Sequence, residues 1–451
     1  MLAAKLAVAR AVRVASRRLR GGGGTTVPGR VLLRLDRRAV AALAPRLGAG
    51  SVVISATNGK TTTAAMLAGV LEREGVRIVH NRTGSNMSWG VATALLDTRP
   101  GGEELGLFEV DEAWLPAVAR DLRPRIFLLS NLFRDQLDRY GELAVLAERW
   151  YEMVGEHAET ARFVLNADDP LVADLGRGRP QVAYFGVEDD SLALAELQHA
   201  ADSKRCGRCG HAYAYEAVYL AHLGRYRCPN CGQRRPEPEI VAERVLLRGM
   251  TGSDVRIRTP SETADLRLPL PGLYNVYNAL AAAAAALALG TPLGEVAAAL
   301  EGTQAAFGRV ETLEVSGRAV SIMLVKNPAG ANEVLRTLAL EEGELDLWIA
   351  LNDRTADGRD VSWVWDADFE GVADRIARVT CSGTRAEEMA LRMKYAGVEA
   401  PIVVERDLER SLDGAVAAGD GRALYALPTY TALLELRDLL ADRGVAPRWS
   451  A

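Results

Sequence analysis

The sequence of 451 residues lacks long hydrophobic runs, and it contains few cysteines and few aromatic residues. Its longest apolar stretch, the alanine-rich segment 279–289, is far shorter than the ~20 residues that span a bilayer. Arginines interrupt every apolar segment near the N-terminus and no cleavage pattern follows, which argues against a secretory signal. Five cysteines suit a reducing compartment, so we expect a cytoplasmic protein without transmembrane helices.

The sequence also lacks a strong excess of one charge. The net charge is −5, which argues against binding to nucleic acid through bulk positive charge, and no nucleic-acid partner is expected. Hydrophobic residues make up 49% and charged residues 25%, values that exclude a disordered chain. A chain of this length folds into several domains and can bury full hydrophobic cores without disulfides.

The first 20 residues form a basic segment with six Lys or Arg side chains and no acid. Apolar residues recur there at helical spacing and predict one apolar helix face: Leu2, Leu6, Ala9, Val12 and Leu19. Two interpretations stay open: a helix that packs on the protein surface, or an interfacial helix drawn to anionic lipid. Glycines at 21–24 follow as a flexible hinge, and we place an N-terminal basic helix and linker at residues 1–45.

Apolar strands alternate with amphipathic helices over most of the chain, which predicts an α/β fold with parallel sheets covered on both faces. The predicted strands are 51–55, 77–80, 105–110, 125–130, 161–166, 320–325, 345–351, 375–380 and 423–427. A turn-rich passage near residues 312–320 separates the first five strands from the last four. We therefore predict a central domain at 46–312 and a smaller C-terminal α/β domain at 313–451.

A phosphate-binding loop is predicted where strand 51–55 runs into a helix. The connecting sequence is Thr57-Asn58-Gly59-Lys60-Thr61-Thr62, and its backbone N–H groups and the helix N-terminus favour an anion. Lys60 is expected to neutralise the β- and γ-phosphates of ATP, and the Thr61 hydroxyl to ligate Mg²⁺. Ile54 occupies the position of the first glycine of the full consensus, so the loop is a shortened variant.

A second hard oxygen ligand for Mg²⁺ is expected at the end of strand 105–110. Ligands of open parallel sheets bind at the carboxyl ends of the strands, which places Glu109 near the mouth of the loop. Asp111 and Glu112 follow directly and remain alternatives for the same role.

Four of the five cysteines form a separate motif. Cys206 and Cys209 are separated from Cys228 and Cys231 by 18 residues, and each pair has CxxC spacing. Two such knuckles form a zinc ribbon, in which four thiolates leave no open position, so the Zn²⁺ is structural. We place the ribbon as an insertion at 200–236, with a surface that favours packing over nucleic acid. Cys381 is expected to be buried without a chemical role.

The loop resembles the nucleotide loop of the Mur ligases and the folylpolyglutamate synthases. Further segments resemble the same family: 81–86, 109–113, 131–141, 166–170, 272–279 and 307–311. The resemblance implies a Mur ligase-like central P-loop domain that binds ATP. It also implies that the helix start with Asn275 and Asn278 touches the adenine and that Arg309 reaches the phosphates. Asn275 is in addition a good residue for capping that helix.

Two features favour one branch of this family. Only about 50 residues precede the loop, too few for the domain with which true Mur ligases grip a UDP-sugar. Together with the ribbon, the segments 326–330 and 351–363 resemble the MurT family of synthetase subunits. This resemblance implies ATP-dependent amidation of the D-glutamate α-carboxyl of lipid II through an acyl phosphate. It further implies a heterodimer with a GatD-like glutaminase subunit, which supplies ammonia from glutamine.

The acidic loop after strand 345–351 is the candidate for contact with that partner. Asp353, with Asp357 as a close second, is expected to orient the histidine of the glutaminase. Positioning of ammonia or substrate and an Asx-turn around Gly358 are the alternatives. The chain itself has no Cys-His arrangement of a glutaminase, because all five histidines precede Cys228 and none is near Cys381.

Two other classes of function remain open. One is an ATP-dependent amino-acid ligase of the Mur or folylpolyglutamate synthase type, which the ribbon and the missing UDP-sugar domain disfavour. The other is a nucleotide-binding zinc-ribbon regulator, which the acidic net charge and the additional C-terminal domain disfavour. Because lipid II is anchored at the inner face of the cytoplasmic membrane, the basic N-terminal helix is also a candidate for peripheral docking there.

Overall fold

The structure, a computed structural model, describes residues 2–19, 26–81, 85–135, 143–303 and 310–447. The predicted glycine hinge and Arg309 lie outside these residues. The helices are α1 Leu2–Leu19, α2 Val27–Leu35, α3 Ala39–Leu43, α4 Lys60–Arg73, α5 Ser88–Ala94, α6 Leu115–Leu122, α7 Leu143–His157, α8 Pro170–Asp174, α9 Leu273–Leu289, α10 Leu293–Glu301, α11 Pro328–Leu338, α12 Ala386–Tyr395, α13 Leu408–Ala417 and α14 Tyr430–Asp442. The strands are β1 Ser51–Ser55, β2 Ile78–His80, β3 Leu105–Glu109, β4 Ile126–Leu129, β5 Arg162–Asn166, β6 Val182–Val187, β7 Ala214–Leu220, β8 Leu223–Arg227, β9 Ile240–Leu247, β10 Ser253–Arg258, β11 Thr263–Leu268, β12 Glu311–Val315, β13 Arg318–Ile322, β14 Leu345–Ala350, β15 Ile376–Ser382, β16 Ile402–Val404 and β17 Leu424–Pro428.

The larger sheet has the strand order β11-β10-β9-β6-β5-β4-β1-β3-β2. The strands from β2 to β9 in that order are parallel, whereas β10 is antiparallel to both of its neighbours. This confirms the predicted parallel sheet. The antiparallel edge is a feature that the sequence pattern does not predict. Strands β10 and β11 bury only about every second residue, so they lack the continuous apolar runs of the central strands.

The smaller sheet has the order β12-β13-β17-β14-β15-β16. Its strands are parallel except for the antiparallel pair β12 and β13 at one edge. The predicted C-terminal α/β fold is therefore confirmed, although the domain boundaries at 45 and 312 stay predictions. The loop after β13 reaches the loop after β1, so the carboxyl ends of both sheets face the same space between them.

Helix α9 carries the adenine-contacting segment of the prediction. It is largely apolar, and its residues from Leu273 to Ala286 are buried between the larger sheet and α4, except for the partly exposed Tyr274. Its run of alanines allows the backbones of α4 and α9 to approach closely. As a result, the asparagines near the start of α9 lie against the start of α4, where the phosphate loop ends.

The four cysteines lie in an insertion between β6 and β9. Strands β7 and β8 form an antiparallel hairpin, with one cysteine pair before β7 and the other after β8. The tip of this hairpin, residues 219–223, is buried against the rest of the chain. The chain leaves the larger sheet after Val187 and returns to it at Ile240, so the excursion is longer than the predicted ribbon. The limits 200–236 of the ribbon itself stay a prediction.

Helix α1 packs against α2 and against the turn after α5. Leu6 and Ala9 are buried, Arg10 donates to the carbonyl of Leu96, and Arg13 pairs with Asp97. These contacts support the packing interpretation of the basic segment. Among the described residues, no helix combines the length and the apolar character needed to cross a membrane.

Candidate active site

The phosphate loop occupies the turn between β1 and α4. Gly59 lies at the N-terminus of α4 in the left-handed region, with a φ angle of 89°. A Cβ atom at this position would also come within 1.9 Å of Asn278 Oδ1. Glycine is therefore required twice, once for the backbone conformation and once for the close approach of α9.

Asn131, at the carboxyl end of the neighbouring strand β4, holds the loop in place. The backbone N–H of Asn58 donates to Asn131 Oδ1 over 2.9 Å, and Asn131 Nδ2 donates to the Asn58 carbonyl over 3.0 Å. The backbone N–H of Thr57 donates to the Asn131 carbonyl. The side chain of Thr57 exchanges hydrogen bonds with the backbone of Phe133. The loop is thus pre-organised before any anion binds.

Lys60 is buried at the bottom of the loop. Its Nζ lies 2.8 Å from Glu112 Oε2 and 3.5 Å from Asp111 Oδ1. Burial alone would lower the pKa of Lys60, but these carboxylates outweigh it and hold that pKa above its usual value. The ammonium group is therefore charged and held in the loop, where phosphate oxygens of a nucleotide can replace Glu112 as its partner.

The predicted Mg²⁺ ligands lie side by side. The Thr61 hydroxyl donates to Glu109 Oε2 over 2.7 Å, and the buried Glu109 is positioned by Asn81, which bonds to both its backbone N–H and its carbonyl. His80 Nε2 lies 3.5 Å from Glu109 Oε1. A hydroxyl and a carboxylate beside a phosphate site are a donor set that suits Mg²⁺. Of the three acids considered, Asp111 and Glu112 face Lys60, so the geometry favours Glu109.

The two asparagines of α9 form a chain of hydrogen bonds toward the loop. Asn278 Oδ1 accepts from the Thr63 hydroxyl over 3.2 Å, and Asn278 Nδ2 donates to Asn275 Oδ1 over 3.1 Å. Asn275 does not cap the helix as expected, because α9 begins at Leu273 after Gly272. Its amide donates back to the Pro271 carbonyl instead, so the residue lies inside the first turn and faces the cleft.

The C-terminal domain closes over the loop through Lys326 and Asn327, which belong to the family-like segment 326–330. Lys326 Nζ donates to the Thr57 carbonyl over 3.1 Å and pairs with Asp135. The side-chain amides of Asn327 and Asn58 face each other, with N···O distances of 3.0 and 3.3 Å. The only local indication that Lys326 and Asn327 reach the phosphate loop is their place shortly after the apolar strand β13.

A cleft lies between the domains. The loop and the asparagines of α9 form its polar end. The remaining walls are largely apolar and come from both domains and from the hairpin of the cysteine insertion: Phe133, Leu220, Leu223, Leu270, Val310, Met323, Leu324 and Val334. A polar end with phosphate-binding geometry and an apolar remainder suit a nucleoside triphosphate.

The two candidate catalytic acids have different surroundings. Asp353 is partly exposed, accepts from the Thr384 hydroxyl and pairs with Arg385, and these contacts lower its pKa. Asp357 is buried, and its two oxygens accept from the backbone N–H and the hydroxyl of Thr431 at the start of α14. Asp353 is therefore the acid that a second protein can reach, whereas Asp357 holds two parts of the fold together.

The four cysteine sulfurs of the insertion converge, and they lie within 4.8 Å of one another. The Sγ atoms of Cys206 and Cys231, and those of Cys209 and Cys228, are 3.5 Å apart. Tetrahedral zinc with bonds of about 2.3 Å requires sulfurs about 3.8 Å apart, so this arrangement fits a four-thiolate zinc site. Cys381 is fully buried, as expected, and burial raises the pKa of its thiol to about 12.

Two family models match the chain. The Mur ligase middle domain matches residues 54–231, and the MurT ligase C-terminal model matches residues 324–433. The chain is 33% identical over 427 residues to the lipid II isoglutaminyl synthase (glutamine-hydrolyzing) subunit MurT of Streptococcus pneumoniae, covering 94% of each chain. It is 32% identical over 434 residues to the corresponding subunit of Staphylococcus aureus, covering 96% of each.

Solved structures show the same fold at lower identity. A pseudomurein peptide ligase type C from Methanothermus fervidus superposes with a TM-score of 0.70 at 22% identity, covering 89% of this chain and 80% of that one. The MurF ligase from Thermotoga maritima in complex with ADP gives a TM-score of 0.63 at 14% identity, covering 91% and 84%.

Proposed function

The chain belongs to the MurT family of Mur ligase-like, ATP-dependent carbon–nitrogen ligases, and from this premise we propose that it amidates the D-glutamate α-carboxyl of lipid II during peptidoglycan synthesis. The observation that carries the proposal is the cleft itself. It joins a pre-organised phosphate loop, a buried Thr61–Glu109 pair and two closing residues of the C-terminal domain in one space.

The proposed reaction has two steps. A carboxylate oxygen of the substrate attacks the γ-phosphorus of ATP, and ADP leaves. Ammonia then attacks the carbonyl carbon of the acyl phosphate, phosphate leaves, and a proton of the ammonia passes to solvent. Because an acyl phosphate is hydrolysed readily, the site must exclude water during this sequence.

Residues of the loop supply the charge that the first step needs. We propose that Lys60 exchanges Glu112 for phosphate oxygens of ATP and stabilises the charge on the transferred group. Thr57 to Thr62 bind the phosphates, and the amides of Asn275 and Asn278 orient the nucleoside. Thr61 and Glu109 would hold Mg²⁺, which supplies further positive charge to the phosphate oxygens. Arg309 stays a predicted phosphate ligand outside the described residues.

Closure of the cleft is the task that we assign to Lys326 and Asn327. Both reach the loop from the other domain, and both contact backbone or amide groups next to the phosphate site. A closed cleft holds the acyl phosphate away from water until ammonia arrives.

We propose that ammonia comes from a GatD-like glutaminase subunit, consistent with the word subunit in the names of the relatives. Asp353 is the residue of this chain that would orient the partner's histidine, because it is accessible and its carboxylate is kept ionised by Thr384 and Arg385. Asp357 would support the loop from inside.

Contact with the inner face of the membrane is a further part of the proposal, since lipid II is a lipid-linked substrate. On α1, Val8 and Val14 are about half exposed and lie away from the buried residues of the helix. Changing both to Glu should weaken binding to vesicles of anionic phospholipid without a change in ATP affinity. Unchanged vesicle binding would leave α1 with its packing role alone.

The test of the proposed function uses the purified chain, ATP, a lipid II analogue and either ammonium chloride or glutamine. We expect the amidated product and ADP with ammonium, but with glutamine only after the glutaminase subunit is added. Lys60→Met should abolish product formation, whereas the exposed control Lys394→Met should not change it. Glutamine hydrolysis by the chain alone, or full turnover by Lys60→Met, would refute the proposal.

A further inference from the structure

One buried acid of the cleft, Glu333, has no role in the proposed reaction. Glu333 lies on α11, is 2% exposed and lines the cleft. Neither of its carboxylate oxygens has a hydrogen-bond partner among the described residues. The nearest cation is Arg336, with its Nη1 at 3.8 Å, and this guanidinium donates to the carbonyls of Tyr219 and Leu192.

A buried carboxylate that accepts no well-formed hydrogen bond is costly, so its presence in a binding cleft points to a ligand. Burial raises the pKa of Glu333 to about 7, because the charged carboxylate is less stable in the apolar cleft than in water. Arg336 and the backbone of Tyr274 favour the charged form of Glu333, but their effect on its pKa is smaller than that of burial. A hydrogen-bond donor on the ligand would remove the penalty when the ligand binds.

The position of Glu333 indicates which part of the ligand it meets. Helix α11 begins after Asn327, whose amide contacts the phosphate loop, and Glu333 lies six residues further along. At a rise of about 1.5 Å per residue, this places Glu333 about 9 Å beyond the phosphate end. Glu333 also lies beside the backbone of Tyr274, next to Asn275 at the start of α9. In the proposed function this is the end of the cleft where Asn275 meets the nucleoside.

The cleft that Glu333 lines has largely apolar walls. Val310, Met323, Leu324 and Val334 line the cleft from the C-terminal side, and Leu223 and Leu270 line it from the central domain and the insertion. A flat purine ring suits such walls, whereas ribose hydroxyls are usually hydrated. Adenine carries its exocyclic donor, an amino group, at the 6-position, whereas guanine has a carbonyl oxygen there and its amino group at the 2-position.

We propose that Glu333 accepts a hydrogen bond from the 6-amino group of adenine and thereby selects ATP over GTP. The proposal rests on the proposed function, because it assumes that a nucleotide occupies this cleft. In GTP bound in the same orientation, the 6-position carries a carbonyl oxygen, so this oxygen and an ionised Glu333 would face each other as two acceptors. A site built to pair with a donor rejects the analogue that lacks it more strongly than a merely apolar pocket does.

The test measures the binding of ATP, GTP, purine riboside triphosphate and 2′-deoxy-ATP by calorimetry, with the wild-type chain and the variants E333Q and E333A. The wild-type chain should bind ATP roughly ten- to hundredfold more tightly than GTP or purine riboside triphosphate, which lacks the 6-amino group. In E333A this advantage over purine riboside triphosphate should vanish. In E333Q the ratio of ATP to GTP affinity should fall about tenfold, because an amide can donate to the guanine oxygen. The exposed Glu342→Gln serves as the matched control.

The outcomes distinguish a failure of the proposed function from a failure of the proposed role of Glu333. If the wild-type chain binds no ATP, the proposed function and this inference fail together. If it binds ATP but both variants keep the wild-type selectivity, only the role of Glu333 is refuted. A loss confined to the comparison of ATP with 2′-deoxy-ATP would show that Glu333 contacts the ribose, and it would equally refute recognition of the base. Unfolding temperatures of the variants verify that each remains folded.

Discussion

Replacing Glu333 by glutamine should stabilise the nucleotide-free protein, and the gain should increase with pH. The carboxyl group has a pKa of about 7 in the folded chain against a usual value of 4.5, because burial disfavours its charged form. A group whose folded pKa is raised binds more protons in the folded state than in the unfolded state. Stability of the wild-type chain therefore falls as the pH rises from about 4.5 to about 7, and the loss is constant above that range.

The size of the effect follows from the shift between these two values. A shift of about 2.5 units corresponds to about 3 kcal/mol at pH 8, where the carboxyl is ionised in both states. At pH 5 the same calculation leaves about 1 kcal/mol. Glutamine carries no charge at either pH, so Glu333→Gln should gain about 2 kcal/mol on wild type between pH 5 and pH 8.

The assay is thermal or denaturant unfolding of both chains at pH 5 and pH 8, followed by a probe in the C-terminal domain. Trp348 is suitable, since it is fully buried in β14. Glu342→Gln, an exposed replacement of the same chemistry, should show no pH-dependent gain. If Glu333→Gln is destabilised equally at both pH values, the carboxylate is already well paired in the free protein, and the reasoning from its burial is wrong. A stabilising change that also reduces nucleotide selectivity would distinguish a binding group from a structural one.

Three further predictions concern the other parts of the site. Lys326→Met should raise KM for ATP about five- to tenfold and increase ATP hydrolysis without amide formation, because one charged contact across the cleft is lost. Lys394→Met is the control, and an unchanged KM would contradict the closing role. Asp353→Asn should lower glutamine-dependent turnover of the complex about a hundredfold or more and leave ammonium-dependent turnover intact. The exposed control Asp360→Asn should affect neither activity. Equal loss with both nitrogen sources would argue for a structural role of Asp353. Removal of zinc with a chelator should weaken ATP binding measured by calorimetry, because Leu220 and Leu223 of the ribbon hairpin line the cleft and His222 packs on Phe133. If ATP affinity is unaffected by zinc loss, the ribbon does not support the cleft.

Much of the fold could be predicted from local patterns. The apolar runs of β1, β3, β4 and β5 predicted a parallel sheet, because strands buried on both faces need continuous apolar sequence. The antiparallel strands β10 and β11 were missed, since half-exposed edge strands give weaker signals. The N-cap assigned to Asn275 was wrong, because Gly272 allows α9 to begin three residues earlier.

In the candidate site, too, motifs made of residues close in sequence could be predicted, whereas contacts between residues far apart in sequence could not. The spacing of the loop and of the cysteine pairs is a local property, so the sequence by itself determined which residues could bind phosphate and which could bind zinc. Lys326 and Asn327 stood out only as members of a family-like segment, and nothing near them in the sequence indicated that both contact residues 269 positions away. Nothing near Glu333 in the sequence indicated its role either, because that role depends on burial in the cleft without a well-formed hydrogen bond.

What the sequence determined on its own was the chemistry of the short motifs, because a tight turn, a helix start or a CxxC knuckle is complete within a few residues. Only the tertiary structure decided how the cleft closes and which side chains meet the nucleoside. These contacts arise where two separately packed domains and an inserted hairpin dock against each other. That docking depends on the shapes of whole surfaces, which no single stretch of sequence encodes.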